Sequence, residues 1–197
     1  LSYSVQEFGR SIVIVPNKSL VTQTEEDYKN IGLDVGVYFG DRKEFGKTHT
    51  ICTWQSLNNL LKNTKAGEAD ISIGEFIEGV VCVIVDEVHM AKADALKALL
   101  TGVFAHVPIR WGLTGTIPKA KFESQAIFVS LGNVIGKLSA SELQEKGVLA
   151  QCHVNIVQLK DDVEFTNYQS ELKHLLEDPK RLDTIAQLVN KIKDSGN

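Results

Sequence analysis

The chain has 197 residues, 43% of them hydrophobic, with 21 lysines and arginines against 25 aspartates and glutamates, for a net charge of −4 and a pI near 5.8. That is enough apolar mass for one domain and part of a second, and it gives no overall basic footprint for nucleic acid. No apolar run approaches the ~18–20 residues of a membrane span, and the opening LSYSVQEFGR has neither a basic start nor an apolar stretch, so neither membrane insertion nor export is expected.

Cys52, Cys82 and Cys152 are widely spaced among apolar residues. They read as buried free thiols of a reducing compartment, and the expected location is cytoplasmic. Positive charge gathers locally at Lys18, Arg42, Lys43 and Lys47, and acidic residues near 68–94 and 161–183. A phosphate-binding face would therefore be confined to the first quarter of the chain.

In chain order, SIVIVP (11–16) reads as a buried strand, and a helix follows from Asn17, a good capping residue. DVGVYF and HTICTW read as short strands and QSLNNLLKN as a helix. GVVCVIVDE (79–87) is a continuous β-branched run, the pattern of a strand buried on both faces. A helix over AKADALKALLTGV, strand and turn in IRWGLTGT, and a helix over KFESQAIFVSLG come next. NVIGKL (133–138) reads as a strand, SASELQEKGVLA as a capped helix stopped by Gly147, and CHVNIVQL (152–159) as a last strand. Strands alternating with helices argue for an α/β fold, a parallel sheet covered on both faces, with ligands at the carboxyl ends of its strands. From Lys160 the chain turns polar and helical, with an apolar stripe at Leu182, Ile185, Leu188, Val189 and Ile192. Residues 1–159 are thus expected as one domain and 160–197 as the start of another.

Two stretches invite a nucleotide. Gly46-Lys47-Thr48 resembles the end of a phosphate loop, G-x-x-x-x-G-K-[ST], but the first glycine of that spacing would fall on Asp41, and THTICTW reads as a strand where a helix is required. A charged turn between strands is the better reading. In VVCVIVDEVHMAKA, by contrast, an apolar strand delivers Asp86, Glu87 and His89 to its carboxyl edge, where paired carboxylates call for a cation. One carboxylate there can hold hydrated Mg²⁺ on nucleotide phosphates, and the next can orient an attacking water. The alternative is an acidic cap on the next helix, which leaves His89 unexplained.

VPNKSLVTQ, CTWQSL, VDEVH and LTGT resemble, in order and spacing, motifs Ia, Ib, II and III of superfamily two helicases of the DExH group. The finer resemblance is to phage UvsW-type DNA repair and recombination helicases, which would place the protein in the host cytoplasm. The resemblance implies a RecA-like first motor domain of the P-loop NTPase type, incomplete at its N-terminus. It implies ATP and Mg²⁺ as cofactors, Asp86 as the Mg²⁺ carboxylate, Glu87 as the base, His89 as the link to nucleic acid, and Thr114-Gly115-Thr116 as the coupling motif. It also implies that Pro16, Asn17, Lys18, Ser19 and Thr53 grip a DNA backbone with little sequence specificity, leaving RNA open, and that residues 160–197 lead to a second motor domain. By the same resemblance the phosphate loop lies upstream of Leu1, which leaves Arg42, Lys43 and Lys47 as candidates for backbone phosphate contacts. On this reading the chain is part of an ATP-dependent DNA helicase and inactive alone. The rival reading is a complete, non-catalytic helicase-like module that binds nucleic acid or a partner.

Overall fold

The computed structural model describes residues 1–90, 94–151, 156–159 and 163–194. A short helix α1 (Ser2–Val5) leads into β1 (Arg10–Val15), α2 (Lys18–Asn30), β2 (Val35–Phe39), β3 (Arg42–Lys43), β4 (His49–Thr53) and α3 (Trp54–Ala66). Then come α4 (Ile73–Phe76), β5 (Val80–Val85), a 3₁₀ turn at Val88–Met90, α5 (Asp94–Thr101), β6 (Ile109–Gly112) and α6 (Lys121–Leu131). The remaining helices are α7 (Ala140–Glu145), α8 (Tyr168–Glu177) and α9 (Pro179–Asp194). The chain divides into two compact units, Leu1–Lys137 and Leu138–Asn197. That division falls earlier than residue 159, where composition changes.

The first unit is a six-stranded sheet in the order β3-β2-β4-β1-β5-β6, parallel except for β3, which folds back on β2. Side chains alternate across the pleat, so the β-branched runs fill two cores at once. Ile12 and Ile14, with Val83, Val85 and Cys52, pack under α3 and α5 against Leu57, Leu60, Leu96 and Leu99. Val13, Val15, Val37, Ile51 and Ile84 face the other way, against Val21 of α2 and Val5 of α1. Cys52 and Cys82 are buried free thiols as expected, and burial pushes both thiol pKa values up, that of Cys82 to about 11. Cys152 lies outside the described residues.

One expected strand is corrected, and a second is described only in part. NVIGKL forms none: Val134, Ile135 and Leu138 are exposed, and the sheet ends at β6 without them. Apolar residues alone do not make a strand without a partner edge. Residues 152–155 of the other lie outside the described residues, and 156–159 have no regular structure.

The second unit is helical. In α7, Ser139 and Glu142 form a reciprocal capping box, and Gly147 follows in a left-handed conformation, as the sequence requires. The tail is broken once, at Asp178-Pro179, where the Asp178 carboxylate accepts the Arg181 N–H at 2.8 Å and starts α9. The apolar stripe of α9 is exposed at Leu182, Ile185, Val189 and Ile192. No helix among the described residues is long and apolar enough to cross a membrane.

Candidate functional site

A parallel sheet gathers its carboxyl ends along one edge. Here the register aligns Val15 with Thr53, Ile14 with Val85, and Val85 with Gly112. The segments that follow, 16–19, 53–56, 86–89 and 113–116, are brought side by side although they are far apart in sequence.

At the end of β5 the Asp86 N–H still donates to the Ile14 carbonyl at 2.9 Å, so the sheet carries Asp86 to its rim before the chain turns. The turn is sharp. The Asp86 Oδ1 accepts the Glu87 N–H at 2.9 Å, and Glu87 has φ +48°, the one described residue other than glycine in the left-handed region. Such a conformation costs on the order of 1–3 kcal/mol and persists only where the surroundings impose it. They do: the Met90 N–H donates to the Glu87 carbonyl at 2.8 Å, and the Val88 N–H to the Leu113 carbonyl at 2.9 Å. Gly112 completes the fit, because a Cβ there would lie 2.7 Å from Leu131 Cδ1 and 3.3 Å from Val88.

The result ties the segment after β5 to the segment after β6. The Thr114 hydroxyl donates to the Thr116 carbonyl at 2.9 Å and accepts the Thr116 N–H at 3.2 Å, closing a tight turn around Gly115. With that single proton committed, His89 Nδ1 is the donor in its 2.9 Å hydrogen bond to Thr114 Oγ1. The same Nδ1 stands 3.2 Å from Glu87 Oε2. The imidazole thus hydrogen-bonds the Thr114 hydroxyl and stands within ion-pairing distance of the Glu87 carboxylate.

Among the described residues no group of three or more His, Cys, Asp or Glu is arranged to hold a metal ion. A single half-buried carboxylate at the sheet rim fits a different mode, in which Mg²⁺ keeps its water and takes its other ligands from phosphate.

Along the same edge, Asn17 caps α2 by accepting the Leu20 N–H at 3.0 Å, and Thr53 caps α3 by accepting the Ser56 N–H at 3.3 Å. Both helices thus present the N–H groups of a first turn, those of Lys18, Ser19, Trp54 and Gln55 lying ahead of any intrahelical acceptor. Asn17, Lys18 and Ser19 are exposed and Pro16 half-buried. Thr53 is buried, its hydroxyl turned to Ser56, so it offers the helix end and not its own oxygen.

The basic residues separate. Arg42 pairs with Phe39 at the carboxyl end of β2, and its guanidinium is held by Glu25 at 2.8 and 2.9 Å and by Glu44 at 2.6 Å. Lys43 pairs with Asp70 at 3.1 Å. Lys47 lies at the amino edge, just before β4, a strand length of ~16 Å from Thr53. There Asp34 takes the Lys47 ammonium at 2.9 Å, the Thr48 N–H at 3.0 Å and the Thr48 hydroxyl at 3.2 Å, while Arg10 Nε donates to the Lys47 carbonyl at 3.2 Å. Hydrogen bonding, above all from the Lys47 ammonium, holds the Asp34 carboxyl below its ordinary pKa. Gly46-Lys47-Thr48 therefore runs into a strand at the edge opposite Asp86, with its polar groups already matched.

Sequence reading missed Glu25 and Asp34. A glutamate in mid-helix and an aspartate before a strand carry no local signal; each gains its role from a residue 13 to 17 positions away.

A mostly parallel sheet with helices on both faces and an acidic turn at its carboxyl edge places this unit in the α/β class to which RecA-like domains belong. Residues 2–119, more than half of the chain, match the type III restriction enzyme res subunit family (ResIII), and the chain belongs to that family. It is similar to the ATP-dependent DNA helicase uvsW of Enterobacteria phage T4, with 24% identity over 93% of this chain and 37% of the relative. Two solved structures share the fold over 66% of this chain, each with a TM-score of 0.51. They are the Hef helicase domain of Pyrococcus furiosus, at 21% identity and 28% of its length, and the UvsW helicase of bacteriophage T4, at 16% and 45%. The chain thus spans less than half the length of each of these relatives.

Proposed function

We propose that residues 1–159 serve as the first motor domain of an ATP-dependent DNA helicase or translocase acting in repair and recombination, with residues 160–197 leading into a second motor domain. The observation that supports this reading is the position of His89, hydrogen-bonded to Thr114 in the turn after the neighbouring strand and 3.2 Å from the Glu87 carboxylate. Asp86 would hold Mg²⁺ through water, and the ion, when bound, supplies charge neutralisation to nucleotide phosphates. Glu87 would orient the attacking water and accept its proton. Thr114 and Thr116 would report the state of Glu87 to the strand-binding edge through His89. The first turns of α2 and α3 would grip a DNA backbone, which positions a strand without reading bases. The phosphate loop would come from outside these residues, since the one lysine-containing triplet that resembles it lies at the opposite edge.

The test is DNA-stimulated ATP hydrolysis by this chain and by a longer protein that adds a phosphate loop and a second motor domain. Hydrolysis by the longer protein alone, abolished by Glu87→Gln, is expected. Hydrolysis by neither, with DNA binding retained by both, would favour a non-catalytic binding module.

A further inference from the structure

Glu25 is an unusual place to find two cations. Its side chain is 4% exposed, yet it holds Lys29 at 2.6 Å as well as the bidentate Arg42. One cation would neutralise it. Arg42 differs from the carboxylate it serves: its side chain is 43% exposed, so solvent and solutes reach the guanidinium while Glu25 stays covered. The turn that carries Arg42 also adjoins the proposed strand path. A Cβ at Gly40 would lie 3.9 Å from Lys18 Nζ, and Arg42 sits at the carboxyl end of β2, about three strand spacings or ~14 Å from β1. A planar guanidinium fork accepts a carboxylate or a phosphate in the same geometry.

We propose that Arg42 is a latched phosphate ligand: Glu25 holds its guanidinium on α2 in the free protein, and an incoming backbone phosphate takes Arg42 over while Lys29 keeps Glu25 paired. Glu44, half-buried and on the same hairpin as Arg42, gives the latch no hold on α2. Glu25 and Lys29 are then positioning residues that set how readily Arg42 is released. This rests on the nucleic-acid reading above and adds a contact whose strength is set inside the protein.

The test is the salt dependence of binding of a short mixed-sequence oligonucleotide, single- and double-stranded, to the chain and its variants, with circular dichroism to establish folding. Arg42→Ala should flatten the plot of log affinity against log salt by about one contact, ~0.9 for duplex and ~0.7 for single strand. Glu25→Gln should tighten binding roughly three- to tenfold by removing the competing state. Lys29→Gln should weaken it, because Arg42 becomes the only cation left for Glu25. Neither should change binding in an Arg42→Ala background. If Glu25→Gln does not fold, Lys29→Gln, altering an exposed lysine, decides alone. Equal effects with and without Arg42, or shifts of both variants in one direction, would overturn the latch. Absence of salt-dependent binding by the unaltered chain would instead remove the nucleic-acid reading, and the latch with it.

Discussion

The two edges of one sheet use the same kinds of residue to opposite ends. At the amino edge, Asp34 collects Lys47 and Thr48, Arg10 donates to the Lys47, Phe76 and Glu78 carbonyls, and buried His49 bonds Ser11 at 2.8 Å. Charge there is spent within the fold, and of the buried side-chain polar atoms only His49 Nε2 and Thr50 Oγ1, among the described residues, lack a partner. At the carboxyl edge, two capped helix ends and a strained acidic turn keep polar groups at the rim, and His89 joins that turn to Thr114 after the next strand. A lysine beside a glycine is thus no sign of a phosphate site until its partners are known.

Substitutions at the two edges should separate activity from stability. The largest effect is expected at the carboxyl edge: Asp86→Asn or Glu87→Gln should lower DNA-stimulated ATP hydrolysis of the longer protein by ~10²–10⁴-fold, with thermal unfolding of the chain almost unchanged. A comparable loss of unfolding temperature would assign these residues to structure instead.

Next comes Glu25. The Arg42 hydrogen bonds, opposed by burial and aided by Lys29, hold its carboxyl at about 2 against an ordinary 4.5. A depressed carboxylate contributes stability that is fully present above pH 4.5 and is lost as pH falls through the folded value near 2. Its worth at neutral pH is about 3 kcal/mol at most. Urea unfolding from pH 7 to 2 should show that acid limb, and Glu25→Gln should lack it. His49 adds a shallower one. Burial lowers its pKa from 6.5, so its contribution is present above pH 6.5 and falls as acid charges the unfolded chain first.

Asp34→Ala should cost less, about 1–2 kcal/mol, for three hydrogen bonds at a partly exposed site, read from the urea midpoint. Lys47→Ala should cost less still, leaving the urea midpoint close to that of the unaltered chain, since it removes one exposed ion pair. A larger loss would mean that the amino edge depends on this pair more than its exposure implies.

Much of this contrast was legible from residue order. The β-branched runs specify β1, β4 and β5, because a strand buried on both faces admits little else, and Asn17 marks the start of α2 where the structure caps it. The acidic turn could be placed at a strand end for the same reason. What could not be read depends on partners distant in sequence. The two-residue β3 is shorter than any hydrophobic period, the Glu25–Arg42 clamp spans a helix and a hairpin, and the His89–Thr114 bond exists only because β5 and β6 are neighbours. NVIGKL shows the opposite failure, where an apolar pattern suggested a strand that the sheet has no place for.

The most direct test of the account is ATP hydrolysis by the longer protein carrying Lys47→Ala, measured beside the same protein carrying Glu87→Gln. The account predicts unaltered hydrolysis in the first and none in the second. Loss of hydrolysis with Lys47→Ala and its survival with Glu87→Gln would put the nucleotide at the amino edge and contradict the assignment made here.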